Sequence, residues 1–361
     1  MGRMTTLIAV IVLMLPGSAF GTSWRVPTQC ATIHIAVDSC SPGDTILVAP
    51  GIYYEAIMLN PSYADHVTII GEAGRDNTIL EGQGVLMHSI GGCEIRGFTF
   101  NIALVSGEGL VDGVIAECDC RGIVFDGIGV RNTAIIGNCI HDAPSMSAGI
   151  SGAVYSVIIE DNDIRNCTDS GIAISSLGPE TSFIRNNTIV HNNAGGISIG
   201  GPVILEGNII AENGGNGIHL YSFLEIMSNT IARNGLSGIR IDSQEMIGGD
   251  IHHNLIAKNG YAGILAQEGF NATFRCNNVW GNSNLPNGNY IGFIPDQTGL
   301  SGNISSDPFF CNAAADDYSL AWNSPALRAS CGAMGAMAIP GCGNQTAIQQ
   351  ATWGSIKALY R

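Results

Sequence analysis

Basic residues are scarce in this sequence. Lys and Arg together number 15 among 361 residues, against 30 Asp and Glu, so the formal net charge is −15. No cluster of basic residues occurs along the chain. Proteins that bind nucleic acid or an anionic membrane surface need clustered Lys and Arg to neutralise phosphates. The composition therefore predicts neither kind of partner.

Long apolar runs are also missing, apart from a short one at the N-terminus. Arg3 is followed by an apolar stretch from Thr5 to Pro16 and then by the small residues Ala19 and Gly21. This stretch is shorter than the ~20 residues that span a bilayer, and its flanks are typical of a secretory signal. We expect a signal peptide at residues 1–21, no transmembrane span in the mature chain, and a protein that is secreted or held at the cell surface.

Common metal-hydrolase and nucleotide motifs are absent, since the sequence contains no H-E-x-x-H and no P-loop. Cys118 and Cys120 form a Cys-x-Cys pair, but no His or Cys completes a zinc pattern around them. We therefore predict no cofactor and no metal site. Ca²⁺ is the one alternative that the sequence leaves open, at the acidic stretch from Glu160 to Asp163. Alternating exposed polar residues explain that stretch without an ion.

What the sequence does contain is a repeat. In five segments an Asn is followed nine residues later by Gly-Ile, and in four of them a second Asn lies five residues after the first. The segments begin at Asn162, Asn187, Asn208, Asn229 and Asn254. Their spacing of 21 to 25 residues is too short for a pair of helices. It suits three short strands joined by three bends.

Stacking such units in parallel, ~4.8 Å apart, gives a parallel β-helix. Ile and Leu would fill its interior, Asn tolerates left-handed backbone and can bond along the stack, and the Gly before each Ile allows a tight bend. Leucine-rich repeats have a similar period, but their Leu-x-x-Leu-x-Leu framework is missing here, and a β-propeller needs blades of ~40 residues. The repeat thus predicts an all-β solenoid.

The N-terminal region resembles a known family. The stretch from Ala31 to Ile57 contains an amphipathic segment followed by Pro42-Gly43-Asp44, and it is similar to the secreted right-handed β-helix proteins of the pectin-lyase-like superfamily. The resemblance implies a right-handed parallel β-helix, a three-sided solenoid with a short N-terminal capping helix. The residues that would form this cap are Ile33, Ile35, Ala36 and Val37.

The chain divides into five predicted segments. These are a signal peptide at 1–21, an N-terminal cap at 22–43, β-helix coils at 44–310, a cysteine-containing closing segment at 311–343, and a tail at 344–361 that suits sorting or anchoring. The 11 cysteines are expected to act as disulfide staples rather than as metal ligands. Cys30 and Cys40 flank a segment that a disulfide would close, whereas Cys311, Cys331 and Cys342 cluster near the C-terminus.

Side chains that follow each Gly-Ile should alternate between interior and surface. The repeat explains the stretch 216–222 through its bend and its inward Ile and Leu, but it does not require His219 or Tyr221. On this alternation, the predicted ligand-binding patch consists of Ser198, His219, Tyr221, Arg240 and Asp242. The longer arcs at 175–183 and 242–250 would bracket the patch and form a shallow polar groove.

Three functions fit this patch. The first is a secreted or surface-attached monomer that binds a polysaccharide or cell-surface glycan. The second is a polysaccharide lyase or uronate epimerase, in which His219 would abstract the proton next to a sugar carboxylate, Arg240 would neutralise that carboxylate and Tyr221 would act as the acid. Asp242 would orient Arg240. The third, a glycoside hydrolase of the polygalacturonase type, is disfavoured because the strings Asn-Thr-Asp, Gly-His-Gly and Arg-Ile-Lys do not occur. We expect a binding protein and leave the enzymatic alternatives open.

Overall fold

The computed structural model describes residues 21–60, 64–82, 84–101, 105–144, 147–242, 249–267, 271–283 and 287–343. The predicted tail at 344–361 and the predicted signal peptide, except for its last residue, lie outside this part of the chain. Among the described residues, no helix has the length and apolar character needed to cross a membrane.

Three parallel sheets form the walls of a β-helix, and successive coils of the chain add strands to each of them. Sheet 1 comprises Ser23–Val26, Thr45–Val48, Thr68–Gly71, Glu94–Arg96, Val114–Ala116, Thr133–Ile136, Val157–Glu160, Ser182–Arg185, Val203–Glu206, Glu225–Met227, Asp250–His252 and Thr273–Arg275. Sheet 2 comprises Gly51–Tyr53, Thr78–Leu80, Thr99–Phe100, Asp119–Cys120, Cys139–His141, Asp163–Arg165, Thr188–Val190, Ile209–Ala211, Thr230–Ala232, Leu255–Ala257 and Asn278–Trp280. Sheet 3 comprises Ile57–Leu59, Val85–His88, Val105–Glu108, Ile123–Val130, Ile150–Val154, Ile172–Ser176, Ile197–Gly200, Ile218–Leu220, Ser237–Ile241, Ala262–Ala266 and Tyr290–Gly292.

The strand register places equivalent residues of successive coils over one another. Ile218 pairs with Ile197 on one side and with Ile239 on the other, and all three are at most 1% exposed. Stacks of this kind fill the interior of the helix with aliphatic side chains. Full burial of one such side chain contributes about 1.5–3 kcal/mol, so the predicted alternation of inward and outward residues is the main source of stability.

Two ladders of buried asparagines run along the corners of the coils. The first contains Asn138, Asn162, Asn187, Asn208, Asn229, Asn254, Asn277 and Asn303, and the second contains Asn192, Asn213, Asn234, Asn259 and Asn282. Nδ2 of Asn208 donates to Oδ1 of Asn229 at 2.9 Å and to the carbonyl oxygen of Ile184 at 2.8 Å. The ladders thus satisfy buried backbone groups at the bends, where strand pairing stops.

The ladder asparagines do not themselves adopt left-handed backbone, so that part of the prediction is wrong. The left-handed residue lies immediately before them: Glu212 has φ 53° before Asn213, and Arg233 has φ 57° before Asn234. Because the ladder side chain must point inward, the bend is made one residue earlier, where the side chain reaches solvent. Stacked in this way, Glu212 and Arg233 form an ion pair.

The glycine that precedes each buried Ile allows two coils to approach closely. A Cβ atom on Gly217 would lie 2.7 Å from Cγ2 of Ile231 and 2.8 Å from the carbonyl oxygen of Gly238. Any larger residue would therefore push neighbouring coils apart.

The N-terminal end is covered by helix α1, Ile33–Ser39, which follows the first strand of sheet 1. The Thr32 hydroxyl caps the helix by accepting a hydrogen bond from the backbone N–H of Ile35 at 3.1 Å. Three of the four predicted cap residues are buried, but Ile35 is 46% exposed. The prediction that Ile35 packs in the cap is wrong. A helix that packs on one side buries only the residues of one face, and Ile35 lies off that face.

The segment 311–343 lies along the side of the solenoid rather than over its end. Its strands Phe310–Asn312, Asp317–Ala321 and Pro340–Cys342 form a small sheet, and two 3₁₀ turns, Ala313–Ala315 and Pro325–Leu327, accompany them. Tyr318 is buried against Val190, Ala211 and Ala232 on the outer face of sheet 2. The C-terminal end of the interior is filled instead by Tyr290 and Ile294.

Disulfides are fewer than the cysteine count suggested. Cys311 pairs with Cys342, and Cys331 pairs with Cys276. The predicted staple from Cys30 to Cys40 is not formed, because Cys30 is reduced and the thiol of Cys40 points at the carbonyl oxygen of Val37, 2.9 Å away.

Several cysteines serve as apolar filling of the interior. Cys93, Cys118, Cys120 and Cys167 are buried and outside the two disulfides. Burial raises the pKa of the Cys118 thiol to about 12, which keeps it protonated. These four buried cysteines are therefore neither disulfide staples nor metal ligands.

Candidate functional site

The predicted patch forms on the outer face of sheet 3. Ser198, His219 and Arg240 occupy equivalent positions on three successive strands. The residues on either side of His219, which are Ile218 and Leu220, are fully buried. The alternation predicted from the repeat is therefore confirmed at this site, and it turns these polar side chains outward.

A single carboxylate connects two of the patch residues. Oδ2 of Asp242 lies 2.9 Å from Nε2 of His219 and 2.8 Å from Nε of Arg240. The side chain of Asp242 is 13% exposed, against 24% for His219 and 37% for Arg240. Asp242 thus contacts Arg240, the residue that it is predicted to orient, and its contact with His219 is an addition that the sequence did not reveal.

The shared carboxylate determines the protonation pattern of the imidazole. An ionised carboxylate only accepts hydrogen bonds, so Nε2 of His219 must carry the proton that Asp242 accepts. In the neutral ring, Nδ1 then holds the free lone pair. Asp242 thus prepares His219 to accept a proton, or a hydrogen bond from a ligand hydroxyl, at Nδ1.

Tyr221 supplies an accessible aromatic ring beside this pair. Its side chain is 51% exposed, and its ring centroid lies 4.9 Å from that of His219 at an interplanar angle of 43°. The ring lies next to Gly200, one coil earlier, where a Cβ would make an ordinary van der Waals contact of 3.8 Å with Cδ2 of Tyr221.

Two further residues extend the site, and the sequence reasoning missed both. Tyr155 and Leu177 each follow a strand of sheet 3 directly and occupy equivalent corner positions on adjacent coils. Tyr221 lies opposite Gly200 and is therefore two register positions earlier on the same side of the solenoid. Leu177 is 41% exposed, and Tyr155 is half-buried beneath the guanidinium of Arg131, which lies 4.5 Å from the ring centroid. A bulky apolar or aromatic residue directly after a sheet 3 strand, as at Tyr155 and Leu177, is the sequence signal that would have found them.

The flanking turns are only partly described. The turn 177–181 lies at the corner between sheets 3 and 1, one coil before Ser198, where Glu180 contacts Arg131 at 3.4 Å. This is the side on which the sequence predicted one wall of a groove. Most of the second predicted wall, residues 243–248 of the arc 242–250, lies outside the described residues.

Ser198 stands within the string Gly-Ile-Ser-Ile-Gly, which resembles a nucleophile elbow. That motif needs a sharp turn from a strand into a helix to expose its serine. Here the string runs into the straight strand Ile197–Gly200. Ser198 is therefore placed as a hydrogen-bonding surface residue.

The acidic stretch considered for Ca²⁺ is engaged by protein groups. Oε2 of Glu160 lies 3.0 Å from Nη2 of Arg185, and Asp163 binds Arg165 through both carboxylate oxygens. Asn162 belongs to the first ladder. A groove of about 850 Å³ runs past this stretch, and Asp161 and Asp163 line it together with Arg75, Arg96 and Glu117.

Comparison with solved structures finds matches of low sequence identity, and the following three have TM-scores below 0.5. The chain is 16% identical to the mannuronan C-5 epimerase AlgE4 A-module of Azotobacter vinelandii, with 73% of this chain and 91% of that chain covered and a TM-score of 0.49. It is 18% identical to the catalytic unit of the thermostable GH87 α-1,3-glucanase of Streptomyces thermodiastaticus, with 75% and 63% covered and a TM-score of 0.48. It is 17% identical to the periplasmic alginate epimerase AlgG, with 73% and 75% covered and a TM-score of 0.38.

A comparison with curated proteins gives no match. The family model for the right handed beta helix region matches this chain over two overlapping stretches, residues 74–222 and 121–279. Together these stretches cover more than half of the 361 residues. The chain therefore belongs to the right-handed β-helix family.

Proposed function

We propose that this β-helix binds a polysaccharide along the corner of sheets 3 and 1, at the patch formed by Ser198, His219, Tyr221, Arg240 and Asp242. The observation that carries the proposal is the exposed ring of Tyr221 beside hydrogen-bonding groups held in place by Asp242. An apolar ring face next to fixed polar groups is the usual composition of a ligand site.

The chemistry of the patch suits sugar hydroxyls. Arg240 uses Nε for Asp242, which leaves its terminal guanidinium N–H groups available to donate. Nδ1 of His219 accepts, and the hydroxyls of Ser198 and Tyr221 do both. Arg240 and Asp242 balance each other in charge, so the site does not demand a charged ligand.

The shape of the site suits a long chain rather than a single sugar. Adjacent coils are ~4.8 Å apart, so Tyr155 and Tyr221, three coils apart, are separated by ~14 Å along the axis. Leu177, one coil after Tyr155 and at the position equivalent to it, lies between them along the axis. Apolar surfaces spread along the axis in this way support several rings of one polymer.

The same proposal includes a location outside the cytosol and action as a monomer. Two disulfides support the location, because thiols stay reduced in the cytosol. A polysaccharide or cell-surface glycan is the partner that such a location supplies.

The test is affinity electrophoresis through gels that contain each of a panel of neutral and uronate-containing polysaccharides. We expect at least one polymer to retard the wild-type protein and Tyr221→Ala to weaken that binding about tenfold, the effect of ~1.4 kcal/mol. Tyr261→Ala is the matched control, because Tyr261 is similarly exposed, at 44%, and precedes the sheet 3 strand Ala262–Ala266 instead of following a strand. Equal retardation of both variants, or no retardation by any polymer, would contradict the proposal.

A second candidate, a polysaccharide lyase or uronate epimerase, is favoured by the pairing of His219 with Asp242. Nδ1 of His219 would take the proton from the carbon next to the sugar carboxylate. In a lyase the electron pair forms a C=C bond while the C–O bond to the leaving sugar breaks, and the Tyr221 hydroxyl protonates the leaving oxygen. In an epimerase the carbon is reprotonated from the opposite face. Arg240 would stabilise the charge on the carboxylate.

Ultraviolet absorbance of unsaturated uronate tests the lyase, and proton NMR of the polymer tests the epimerase. We expect activity on a polyuronate to be lost in His219→Ala and in Arg240→Ala, and kept in His34→Ala, which replaces an exposed histidine at the N-terminal cap. Activity that survives both changes in the patch, or no change in any polyuronate with Ca²⁺ present or absent, would reject the enzymatic candidate while leaving the binding proposal intact.

A further inference from the structure

A second cluster of reactive side chains lies on sheet 2, away from the polysaccharide patch. Cys139 pairs in register with Asp119 on one side and with Asp163 on the other, and His141 follows two residues later on the same face. The intervening Ile140 is fully buried, which turns its neighbours outward. The register thus gathers a thiol, an imidazole and carboxylates at one point on the surface.

The three donor atoms are close enough to share one ion. Nε2 of His141 lies 2.8 Å from Oδ1 of Asp119, and these two atoms and Sγ of Cys139 all lie within 4.8 Å of one another. Donors on one tetrahedral zinc ion are ~3.3–3.8 Å apart, given bonds of ~2.0–2.3 Å. Small side-chain rotations therefore bring all three to one ion.

A further carboxylate prepares the imidazole as a ligand. Nδ1 of His141 lies 2.8 Å from Oδ2 of Asp142. A proton on Nδ1 donated to Asp142 leaves the Nε2 lone pair directed at the other two donors, which is the usual support of a metal-binding histidine.

The surrounding charge and exposure also favour a cation. Asp119, Asp142 and Asp163 bring three negative charges against the two positive charges of Arg75 and Arg165, and Arg165 is engaged with Asp163 through bonds of 2.8 and 2.6 Å. The side chains of Asp119 and His141 are 32% and 30% exposed, so an ion can enter from solvent. Cys139 is half-buried, unlike the buried cysteines of the interior.

Two comparable clusters in the described part of the chain are weaker candidates. In the group of Glu225, Asp250 and His252, Asp250 is bound by Arg275 through two nitrogens, and no thiol is present. In the group of His253, Cys276 and Cys331, the two cysteines are joined in a disulfide.

We propose that Asp119, Cys139 and His141 form a binding site for one divalent zinc-like cation, with a fourth position open to water. Binding releases the thiol proton of Cys139 to solvent and forms a metal–thiolate bond. This site is independent of the proposed polysaccharide function, because it lies on a different sheet and shares no residue with the patch.

The test is titration of chelator-treated protein with Zn²⁺ by calorimetry and with Co²⁺ by absorbance. We expect one equivalent of metal to bind, with a thiolate-to-cobalt charge-transfer band that disappears in Cys139→Ser. His141→Gln should abolish stoichiometric binding, and Asp142→Asn should weaken it by about 10–100-fold. The matched control His252→Gln should bind as the wild type does.

A thiol-labelling measurement keeps the proposal testable if a variant folds poorly. In the wild-type protein, Zn²⁺ should slow the reaction of Cys139 with a thiol reagent, and removal of Zn²⁺ should restore the rate. If no Zn²⁺ binds, His141 is simply held by Asp119 and Asp142, and the cluster is not a metal site. Binding that persists in both Cys139→Ser and His141→Gln, or that is lost in His252→Gln, would place the ion elsewhere. Either result would overturn the proposal.

Discussion

Nε2 of His219 donates a hydrogen bond of 2.9 Å to Oδ2 of Asp242, which lies just beyond the neighbouring strand of sheet 3. The two residues are 23 positions apart in the sequence, and only the register of the coils brings them together. Because the carboxylate fixes the side of the ring that carries the proton, the chemistry available at His219 depends on Asp242.

The first prediction concerns this dependence. In the neutral imidazole of the wild-type protein, the proton should reside on Nε2, and Asp242→Asn should shift the ring toward a mixture of the two tautomers. Nitrogen-15 NMR of the histidine side chains reports the tautomer, and His219→Gln identifies the signal. A wild-type ring protonated at Nδ1 would contradict the assignment.

The second prediction concerns the asparagine ladders. Asn192→Ala removes a side chain that donates to Oδ1 of Asn213 at 3.0 Å and accepts from the backbone N–H of Cys167 at 3.1 Å. Oδ1 of Asn213 keeps its bond from the backbone N–H of residue 192, at 3.0 Å, but the buried N–H of Cys167 is left unpaired. The free energy of unfolding should therefore fall by about 1–3 kcal/mol, the cost of one orphan group. Urea unfolding measures the loss.

Asn193→Ala is the matched control for this change, because Asn193 is the exposed neighbour of Asn192. We expect the control to stay within ~0.5 kcal/mol of the wild type. Equal losses in the two variants would mean that the ladder does not stabilise the bend.

The third prediction concerns the segment 311–343. Tyr318 packs edge-to-face against Phe310, at 5.3 Å between ring centroids, and is 1% exposed. Tyr318→Ala should cost the docked segment ~3–5 kcal/mol and should expose it to limited proteolysis. Tyr318→Phe should resist proteolysis as the wild type does, because the hydroxyl contact with Glu212 is long, at 3.5 Å. Rapid cleavage of both variants would assign the docking to the hydroxyl instead.

The fourth prediction concerns the turn at Asp44. Burial alone would raise the pKa of Asp44, but hydrogen bonds from Trp24, Ser41 and Thr22 lower it below its ordinary value of 3.8. The group is therefore charged in the folded state at neutral pH, and the stability that it contributes is lost as pH falls below about 3.8.

Asp44→Asn should accordingly destabilise the protein at pH 7 by about 1–3 kcal/mol, and the difference from the wild type should shrink toward pH 3. Urea unfolding at both pH values measures it. The control Asp38→Asn, at an exposed site on helix α1, should stay within ~0.5 kcal/mol of the wild type at pH 7. If the loss of unfolding free energy in Asp44→Asn grows on acidification, the stabilising role of the charged Asp44 is contradicted.

Much of the fold could be predicted from the sequence because one coil is a local unit. The spacing from Asn208 to Asn229 gives the length of the coil, and Gly217 followed by Ile218 marks where its third strand begins. Alternation then assigns the outward residues, which is why His219 and Arg240 were placed together correctly. Every step uses contacts between residues one coil apart.

Features that depend on long-range packing could not be read in this way. The docking of Tyr318 on sheet 2 joins residues more than 100 positions apart, as its contact with Glu212 shows. The contact between Asp119 and His141 needs the register of two strands in an imperfect part of the repeat. The burial of Ile35 was predicted wrongly because a helix of seven residues buries one face only, and the composition of the helix does not tell which face that is.

The most direct test of the central claim is a crystal structure of the protein soaked with an oligosaccharide from the polymer that retards it most. We predict electron density for consecutive sugars along the corner of sheets 3 and 1, with one ring stacked on Tyr221 and another near Tyr155. Density in the groove of Arg75 and Arg96, with none at Tyr221, would contradict the account.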